Sequence, residues 1–324
     1  ADRILFNKFV QYIFYSQWQR VYEYARGKNI LLIGDIPIYV ALDSADVWAN
    51  QKMFKLNQKT LAPTAVAGVP PDYFSKTGQR WGNPLYNWQT ADGQINYTLY
   101  NWWLARFRLI LSMMDMVRID HFRGFEAYWE IPAREKTAIN GKWVKGPGIP
   151  FFTHIKEKLG TLPIIAEDLG FITPPVEKMR DQLGLPGMKI LQFAFESDAK
   201  NPYLPHNFTR TNTIVYTGTH DNNTTLGWFL GGNVSEETRN RIRQYLNSYD
   251  DTKISWEMTR LAMSSTAVLA VTPLQDILGF GEDCRMNTPG TRTGNWRWRC
   301  APGFLESSLE QRLYDLTRFY NRLL

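Results

Sequence analysis

The stretch Met116-Val117-Arg118-Ile119-Asp120 guides the prediction of the fold of this 324-residue chain. Side chains alternate between the two faces of a strand, so Arg118 and Asp120 would project together while Val117 and Ile119 face the opposite layer. Further short apolar runs of the kind found in parallel strands lie at 30–36, 163–167, 190–195, 213–217 and 267–271, which makes about six strands in all.

Helices are predicted around these strands. The segment 2–26 has apolar residues at helical spacing and is followed by Gly27, and further helical segments lie at 97–114, 174–183 and 236–248. Neither a repeat nor a long linker divides the sequence, so we expect a single domain over 1–324. Because strands and helices alternate, the sequence predicts a parallel α/β architecture.

Carboxylates stand where several predicted strands end. Asp35, Asp120 and Glu167 lie at the ends of three strands, and Asp221 follows a fourth. Catalytic residues of a (β/α)8 barrel come from such strand ends, whereas a doubly wound sheet gathers its ligand groups at one switch point. This distribution favours a TIM-type (β/α)8 barrel, which needs eight strands where the sequence supplies about six.

These carboxylates also indicate a chemistry. An arginine beside an aspartate keeps the aspartate ionised, so Arg118 and Asp120 form either a structural ion pair or part of a site. Several carboxylates near one point cost free energy unless a cation, a metal or a substrate compensates them, which favours a site. Two carboxyl groups on either side of a glycosidic bond can act as nucleophile and general acid/base.

Composition and motif content weigh against several other classes. Lys and Arg exceed Asp and Glu by 37 − 31 = 6, an excess spread along the chain that does not indicate nucleic acid. No apolar run approaches the roughly 20 residues of a bilayer span, and the four histidines lack metal-binding spacing. The sequence also contains no Walker A, GxSxG or well-placed GxGxxG motif, so we expect no metal, no cofactor and no membrane partner.

Two features bear on the cellular compartment. Cys284 and Cys300 lack CxxC spacing, and we expect reduced thiols, with a disulfide that closes the loop between them as the alternative. Glycosylation sequons start at Asn222 and Asn223, next to Asp221. Because sugars there would obstruct a site, we expect that the protein is not secreted.

Seven motifs, taken in order, carry a resemblance to a known family. They are Gly34-Asp35-Ile36-Pro37-Ile38-Tyr39-Val40 with Asp43-Ser44-Ala45-Asp46-Val47-Trp48; Gly68-Val69-Pro70-Pro71-Asp72-Tyr73-Phe74-Ser75; Gly78-Gln79-Arg80-Trp81-Gly82-Asn83-Pro84-Leu85-Tyr86; Arg118-Ile119-Asp120-His121-Phe122-Arg123-Gly124; Ala166-Glu167-Asp168-Leu169-Gly170; Gly218-Thr219-His220-Asp221-Asn222; and Arg285-Met286-Asn287-Thr288-Pro289-Gly290-Thr291. Each motif is modestly specific, but seven in one order are strongly so. Over nearly its whole length the sequence resembles the amylomaltases, the 4-α-glucanotransferases or disproportionating enzymes of the α-amylase-like barrels.

The resemblance implies a catalytic set. Asp120 would be the nucleophile, Glu167 the general acid/base, and Asp221 the carboxylate that binds sugar hydroxyls and favours the transition state. Retention by direct attack of Asp120 predicts that its carboxyl lies about 5 to 5.5 Å from that of Glu167. The implied activity is transfer of α-1,4-glucan segments between malto-oligosaccharide or starch donors and acceptors.

The resemblance also implies substrate-binding positions. Arg118 and His220 would contact the sugar at the point of cleavage, and Asp35 lies in the first barrel signature. Two loops would face each other, with Asp72, Gln79 and Trp81 on the acceptor side and Asn287 and Pro289 on the other.

A long excursion at about 43–103 forms a loop subdomain between two predicted strands. It carries aromatic residues whose flat faces suit glucose rings and help to exclude water: Trp48, Tyr73, Phe74, Trp81, Tyr86, Trp88 and Trp102. We expect about two-thirds of them to be core residues. Trp81, in a Gly/Pro-rich loop, is expected to contact substrate.

Family members are longer at the N-terminus, and the resemblance places the start of this chain near the helix before the third barrel strand. We therefore expect a barrel that lacks its first two strands and contains the equivalents of strands three to eight. Such a barrel would expose an edge and an apolar interior. The chain is thus predicted to be a fragment or one half of a split enzyme, with the missing N-terminal segment as a candidate partner.

Other functions stay open at this point. A hydrolase of the same barrel class would carry the same carboxylates, and an inactive fragment would bind glucan without turning it over. Bases and aromatics also interleave as on surfaces that bind single-stranded nucleic acid, at Arg292, Trp296, Arg297, Trp298 and Arg299. We favour the transferase, in a bacterial cytoplasm or a plastid stroma, and expect no nucleic-acid partner.

Overall fold

The computed structural model describes residues 2–72, 75–291 and 293–323. The chain divides into two compact units, Ala1–Pro186 and Gly187–Leu324. Each unit has its own parallel sheet, helices and apolar core. This division does not decide whether the chain forms one catalytic domain, so the single domain over 1–324 stays a prediction.

The first unit is built around a parallel sheet. Its described elements are α1 (Asp2–Gly27), β1 (Ile33–Pro37), α2 (Ala45–Ala49), β2 (Ala65–Val69), β3 (Gln79–Pro84), α3 (Tyr97–Leu111), β4 (Met116–Asp120), β5 (Ala127–Pro132), β6 (Lys142–Lys145), α4 (Gly148–Leu159), β7 (Ile164–Ala166) and α5 (Pro174–Gln182). The strands β1, β4 and β7 pair in parallel in the order β1-β4-β7, with Ile119 opposite both Ile36 and Ala166. Their carboxyl ends therefore lie side by side.

The alternation predicted for β4 is confirmed. Val117 and Ile119 are fully buried, whereas Arg118 and Asp120 are partly exposed. The buried pair belongs to one apolar cluster with Trp103 of α3, which is also fully buried. The apolar face of β4 thus packs into the core and stabilises the strand, while its other face carries the polar side chains.

A second sheet in this unit was not predicted. It is antiparallel, in the order β3-β2-β5-β6. Gly68 of β2 lies so close to β3 that an added Cβ would be 2.1 Å from the carbonyl oxygen of Gln79. The segment predicted as a loop subdomain at about 43–103 therefore contains the strands β2 and β3, and β2 pairs with β5 outside that segment.

Most of the described aromatic residues of this segment belong to the core, as expected. Tyr86 and Trp88 are buried, and Trp102 packs against the same cluster. Trp48 is 79% exposed and Trp81 is 38% exposed. Tyr73 and Phe74 lie outside the described residues.

The second unit contains a smaller parallel sheet. Its described elements are β8 (Gly187–Ile190), β9 (Thr213–Tyr216), α6 (Thr225–Leu230), α7 (Glu236–Leu246), α8 (Ile254–Ser264), β10 (Leu269–Val271), α9 (Leu274–Ile277) and α10 (Ser307–Phe319). The strands lie in the order β10-β9-β8. The strands predicted at 213–217 and 267–271 are confirmed with ends shifted by one or two residues.

The strand predicted at 190–195 is wrong. β8 ends at Ile190, and Leu191–Phe195 is a 3-10 helix with four of its five residues buried. A short apolar run fits either a buried strand or a buried helical turn. The pairing of β8 with β9 starts at Gly187 and stops at Ile190, and this pairing fixes the end of the strand.

The helices predicted at 2–26, 97–114, 174–183 and 236–248 are confirmed as α1, α3, α5 and α7, whereas α4, α8 and α10 were not predicted. Among the residues described, none of the helices combines the length and the apolarity that crossing a bilayer requires.

The α/β class is confirmed, but a complete (β/α)8 barrel is not present among the described strands. These form two three-stranded parallel sheets, one in each unit, and one antiparallel sheet. The barrel stays a prediction.

Candidate active site

Arg118 links two carboxylates at the ends of β1 and β4. Its Nη2 donates to Asp35 Oδ2 at 2.7 Å and to Asp120 Oδ1 at 3.1 Å, and its Nε donates to Asp35 Oδ2 at 3.1 Å. The Arg118 side chain is 12% exposed, whereas those of Asp35 and Asp120 are 43% and 47% exposed. The alternative of a buried structural ion pair therefore does not describe this cluster, because both carboxylates reach solvent.

The charge on Arg118 is fixed by its neighbours. Burial by itself disfavours the guanidinium, but the carboxylates of Asp35 and Asp120 outweigh this effect and raise the pKa of Arg118 above its ordinary value. A permanent cation beside Asp120 keeps that aspartate ionised. An ionised, half-exposed carboxylate is available as a nucleophile.

Glu167 follows β7 and is held by backbone groups of two segments. Its carboxyl accepts from the N–H of His121 at 2.7 Å and from the N–H of Leu169 at 2.9 Å. Its own N–H donates to the carbonyl of Ile119 at 3.1 Å. These bonds fix the position of the Glu167 carboxyl relative to the end of β4.

The environment of Glu167 keeps its proton near neutral pH. Burial, followed by the negative charge of Asp120, raises its pKa from 4.5 to about 7, although Arg118 and the two backbone N–H groups oppose the rise. Ile119 of β4 lies opposite Ala166 of β7 in the parallel ladder. Asp120 and Glu167 are the residues that directly follow this pair. Asp120 thus has a cationic neighbour, whereas the adjacent Glu167 is still about half protonated at pH 7, which suits a division of labour between nucleophile and acid. The separation of about 5 to 5.5 Å stays a prediction.

Trp81 and Gln79 of β3 lie beside the end of β4. The Trp81 ring meets the His121 ring edge-on at 4.8 Å and lies 6.3 Å from the ring of Tyr39. Trp81 Nε1 donates to Gln79 Oε1 at 3.1 Å, which orients the indole. The partly exposed Trp81 ring thus packs against the residue that follows Asp120, and its contact with substrate stays a prediction.

His121 directly follows Asp120 and packs against Trp81. It adopts a left-handed conformation with φ 55°. Its Nε2 is buried without a hydrogen-bond partner, and burial, followed by the charge of Arg123, lowers its pKa to about 3. His121 is therefore a neutral ring that supports Trp81, and its position directly after Asp120 was the signal in the sequence.

Asp72 forms two hydrogen bonds with Ser75. Its Oδ1 accepts from the N–H of Ser75 at 2.7 Å, and its own N–H donates to the Ser75 carbonyl at 3.0 Å. The contact of Asp72 with an acceptor sugar stays a prediction.

In the second unit, Asp221 and Asn287 meet directly. Asn287 Nδ2 donates to Asp221 Oδ1 at 2.6 Å, and Arg285 Nη2 donates to the Asp221 carbonyl at 2.7 Å. His220 Nε2 lies 3.5 Å from Asp221 Oδ2, and the Asp221 side chain remains 48% exposed. Pro289 is exposed two residues beyond Asn287. These residues form a second polar cluster, in which the Asp221 carboxylate is about half exposed.

Arg285 and Trp296 were not predicted to contribute to this cluster. The Trp296 ring lies 5.0 Å from the ring of His220, and the backbone N–H of Trp296 donates to the carbonyl of Met286 at 2.8 Å. Trp298 packs edge-on against Phe280 at 6.4 Å. Two aromatics of the segment compared with nucleic-acid surfaces are therefore engaged within the protein, and Arg292 of that segment lies outside the described residues.

Two further predictions concern the cysteines and metal binding. Cys284 and Cys300 are free, as expected. Within 2–72, 75–291 and 293–323, no three His, Cys, Asp or Glu side chains are grouped so that they could hold a metal ion.

Comparison with known proteins identifies the family. A sequence model of the 4-alpha-glucanotransferase family matches residues 1–305. The chain belongs to this family. The expected resemblance is thereby confirmed.

Individual members are highly similar to the chain. The 4-alpha-glucanotransferase of Synechocystis is 52% identical over 98% of this chain and 62% of its own length, and that of Thermus thermophilus is 47% identical over 100% of this chain and 64% of its own length. An amylomaltase from Streptococcus agalactiae, solved in complex with acarbose, superposes with a TM-score of 0.89 at 42% identity over 96% of this chain and 62% of that chain. The chain thus spans a little over three-fifths of the length of these relatives.

Proposed function

We propose that the protein is a 4-α-glucanotransferase that moves α-1,4-glucan segments between malto-oligosaccharides with retention of configuration. The single observation that carries the proposal is the pairing of Glu167, with its pKa raised to about 7, and an Asp120 bound to Arg118 at 3.1 Å. Family membership favours transfer over hydrolysis.

The first half-reaction forms a covalent intermediate. The Asp120 carboxylate attacks the anomeric carbon, the bond from this carbon to the 4-oxygen of the leaving glucan breaks, and protonated Glu167 gives its proton to that oxygen. In the second half-reaction the ionised Glu167 takes the proton of an acceptor 4-hydroxyl. The acceptor oxygen then attacks the anomeric carbon and releases Asp120, so two inversions retain the configuration.

The remaining polar residues would bind sugar. Asp35 and Arg118 orient Asp120 and offer hydrogen bonds at the cleavage point. Asp221, held by Asn287, would accept hydrogen bonds from sugar hydroxyls. Further contacts are proposed for His220, Asp72, Gln79, Trp81 and Pro289, with the Trp81 face stacked on an acceptor ring.

We also infer that the strands belong to a TIM-type (β/α)8 barrel, of which this chain supplies the equivalents of strands three to eight. The likeness to the Streptococcus agalactiae amylomaltase supports this inference. α1 exposes Phe6, Phe9 and Tyr12, and β1 is an edge of its sheet. Such a surface suits pairing with a further segment, because the relatives are longer than this chain, and we propose an N-terminal segment of the same enzyme as that partner.

A cytoplasmic or plastid location fits the same proposal. The relatives include bacterial proteins and a chloroplastic/amyloplastic 4-alpha-glucanotransferase of Arabidopsis thaliana. We infer that the protein acts on glucans in such a compartment and is not secreted.

Incubation with maltotriose tests the function. Transfer yields glucose and longer oligosaccharides with no matching rise in reducing ends. A rise equal to the number of bonds lost would identify a hydrolase instead. Retention of the protein on amylose without turnover would identify a binding fragment, and Asp120→Asn serves as the inactive control.

A further inference from the structure

Asp276 of α9 is a buried acid to which the proposed mechanism assigns no role. It is 0% exposed and accepts three hydrogen bonds. Thr225 N–H donates to its Oδ1 at 2.7 Å, and the hydroxyls of Thr217 and Thr225 donate to its Oδ2 at 2.7 and 2.6 Å. A buried carboxylate is costly unless hydrogen-bonded, so these three bonds must be retained together.

The partners of Asp276 lie at the two ends of one loop. Thr217 directly follows β9, and Thr225 is the first residue of α6. The loop between them, 218–224, carries His220 and Asp221. One carboxylate therefore joins the entry and the exit of the loop that presents Asp221.

The neighbouring residue of α9 reaches a second loop. Gln275 Nε2 donates to the carbonyl of Cys284 at 3.2 Å. The next residue, Arg285, donates to the carbonyls of Asp221 and Asn287 at 2.7 and 2.8 Å. The Asn287 N–H in turn donates to the His220 carbonyl at 3.1 Å. Thus α9 contacts both loops whose side chains meet at Asp221.

Close packing limits the movement of the first loop. An added Cβ on Gly227 of α6 would lie 2.6 Å from Asn223 Oδ1 and 2.8 Å from the backbone nitrogen of Glu282. Gln192 Nε2 donates to the Asn223 carbonyl at 2.9 Å. With α6 and the loop in such contact, a shift at Thr225 would be transmitted along the loop.

We propose that Asp276 is a positioning residue that, with Gln275, clamps loops 218–224 and 284–288 together and so holds Asp221 against Asn287 in the orientation that binds sugar. The sugar-binding part of this inference rests on the proposed function. The clamp itself does not, because it is a property of the hydrogen bonds of the second unit.

Hydrogen exchange of the full chain tests the clamp without any turnover. The informative amide is that of Asn287, whose acceptor is the His220 carbonyl and not Asp276. In Asp276→Ala we expect its exchange to rise roughly tenfold, the ratio that corresponds to a loss of about 1.4 kcal/mol. Asp276→Asn should restore protection, since its amide oxygen still accepts from Thr225 N–H and its NH2 can donate to the threonine hydroxyls.

Ile242→Ala is the matched control. Ile242 is fully buried in α7 and belongs to the apolar core of the second unit. This variant should lower the melting temperature without a selective rise in exchange at Asn287. Equal exchange at Asn287 in Asp276→Ala and Ile242→Ala would overturn the clamp. If Asp276→Ala does not fold, Gln275→Ala, which removes only the bond to Cys284, should raise exchange at 284–288, and no change there would also overturn it.

Maltotriose exchange provides the second readout. Asp276→Ala should lower kcat/KM for maltotriose, and Asp276→Asn should restore kcat/KM to the wild-type value. An unchanged kcat/KM in Asp276→Ala would refute the link to sugar binding. Absence of turnover in the wild-type chain would refute the proposed function and leave the exchange test of the clamp intact.

Discussion

Replacing Asp120 by asparagine should lower the pKa of Glu167. The pKa of Glu167 rises from 4.5 to about 7, a rise of 7 − 4.5 = 2.5, and the charge of Asp120 is the second cause of this rise after burial. Because Asp120 is 47% exposed, its field is partly screened by water. We therefore assign it a minor share of the rise and expect the pKa of Glu167 to fall by about one pH unit, or about 1.4 kcal/mol, in Asp120→Asn.

The titration is measured by NMR of protein labelled with 13C at the glutamate carboxyl carbons, with Glu167→Gln to assign the signal. Glu157→Gln, which removes an exposed carboxylate of α4, is the charge-matched control and should leave the Glu167 titration in place. An unchanged or higher pKa of Glu167 in Asp120→Asn would refute the electrostatic coupling of the two carboxyls, and with it the division into nucleophile and acid.

Three further outcomes are expected. The folded state binds the Glu167 proton more tightly than the unfolded chain, so the contribution of Glu167 to stability falls as the pH rises from about 4.5 to about 7. Glu167→Gln should therefore stabilise the protein at pH 8 by up to about 3 kcal/mol and should have no such effect at pH 4. Urea unfolding at the two pH values measures the difference. Trp81→Ala should raise the acceptor KM about three- to tenfold and increase the number of reducing ends formed per bond broken. The reason is that the variant loses the apolar face that we propose stacks on sugar and excludes water. Unchanged products would contradict this prediction. Gly68→Ala should cost about 2 to 4 kcal/mol because its Cβ would meet the Gln79 carbonyl at 2.1 Å, whereas Gly27→Ala, with open space around it, should be nearly neutral in the same unfolding assay.

The parallel strands could be predicted because their residues agree at every level. In β4 the apolar and polar residues alternate, and Val117 and Ile119 are buried as the alternation requires. The run 190–195 failed because apolar residues alone do not distinguish a strand from a buried turn, and only the ladder with β9 sets the boundary.

The antiparallel sheet could not be predicted for a different reason. β3 contains Gly82 and Pro84, which are disfavoured in strands, and Gly68 interrupts β2. Distant partners stabilise these strands, as in the pairing of Val66 of β2 with Ile131 of β5. Local propensity disfavours β2 and β3 as strands, and their pairing in the folded protein stabilises them.

The candidate site was predicted in its residues but not in its contacts. Asp35 and Arg118 are 83 residues apart, and their bond follows from the register of β1 with β4, which no local pattern encodes. The bond between Asn287 and Asp221 spans 66 residues in the same way. Asp276 belongs to none of the seven motifs, and Arg285 begins the last of them without a predicted contact, because the roles of both residues depend on which groups they reach.

Trapping of the covalent intermediate is the most direct test of Asp120 as the nucleophile. Glu167→Gln is mixed with α-maltotriosyl fluoride, whose leaving group needs no acid, so Asp120 can be glycosylated while the loss of the base slows the second step. We predict that the intact mass increases by one maltotriosyl group and that peptide mapping places this group on Asp120. An unmodified protein, or a sugar attached to another residue, would contradict the role of Asp120 as the nucleophile.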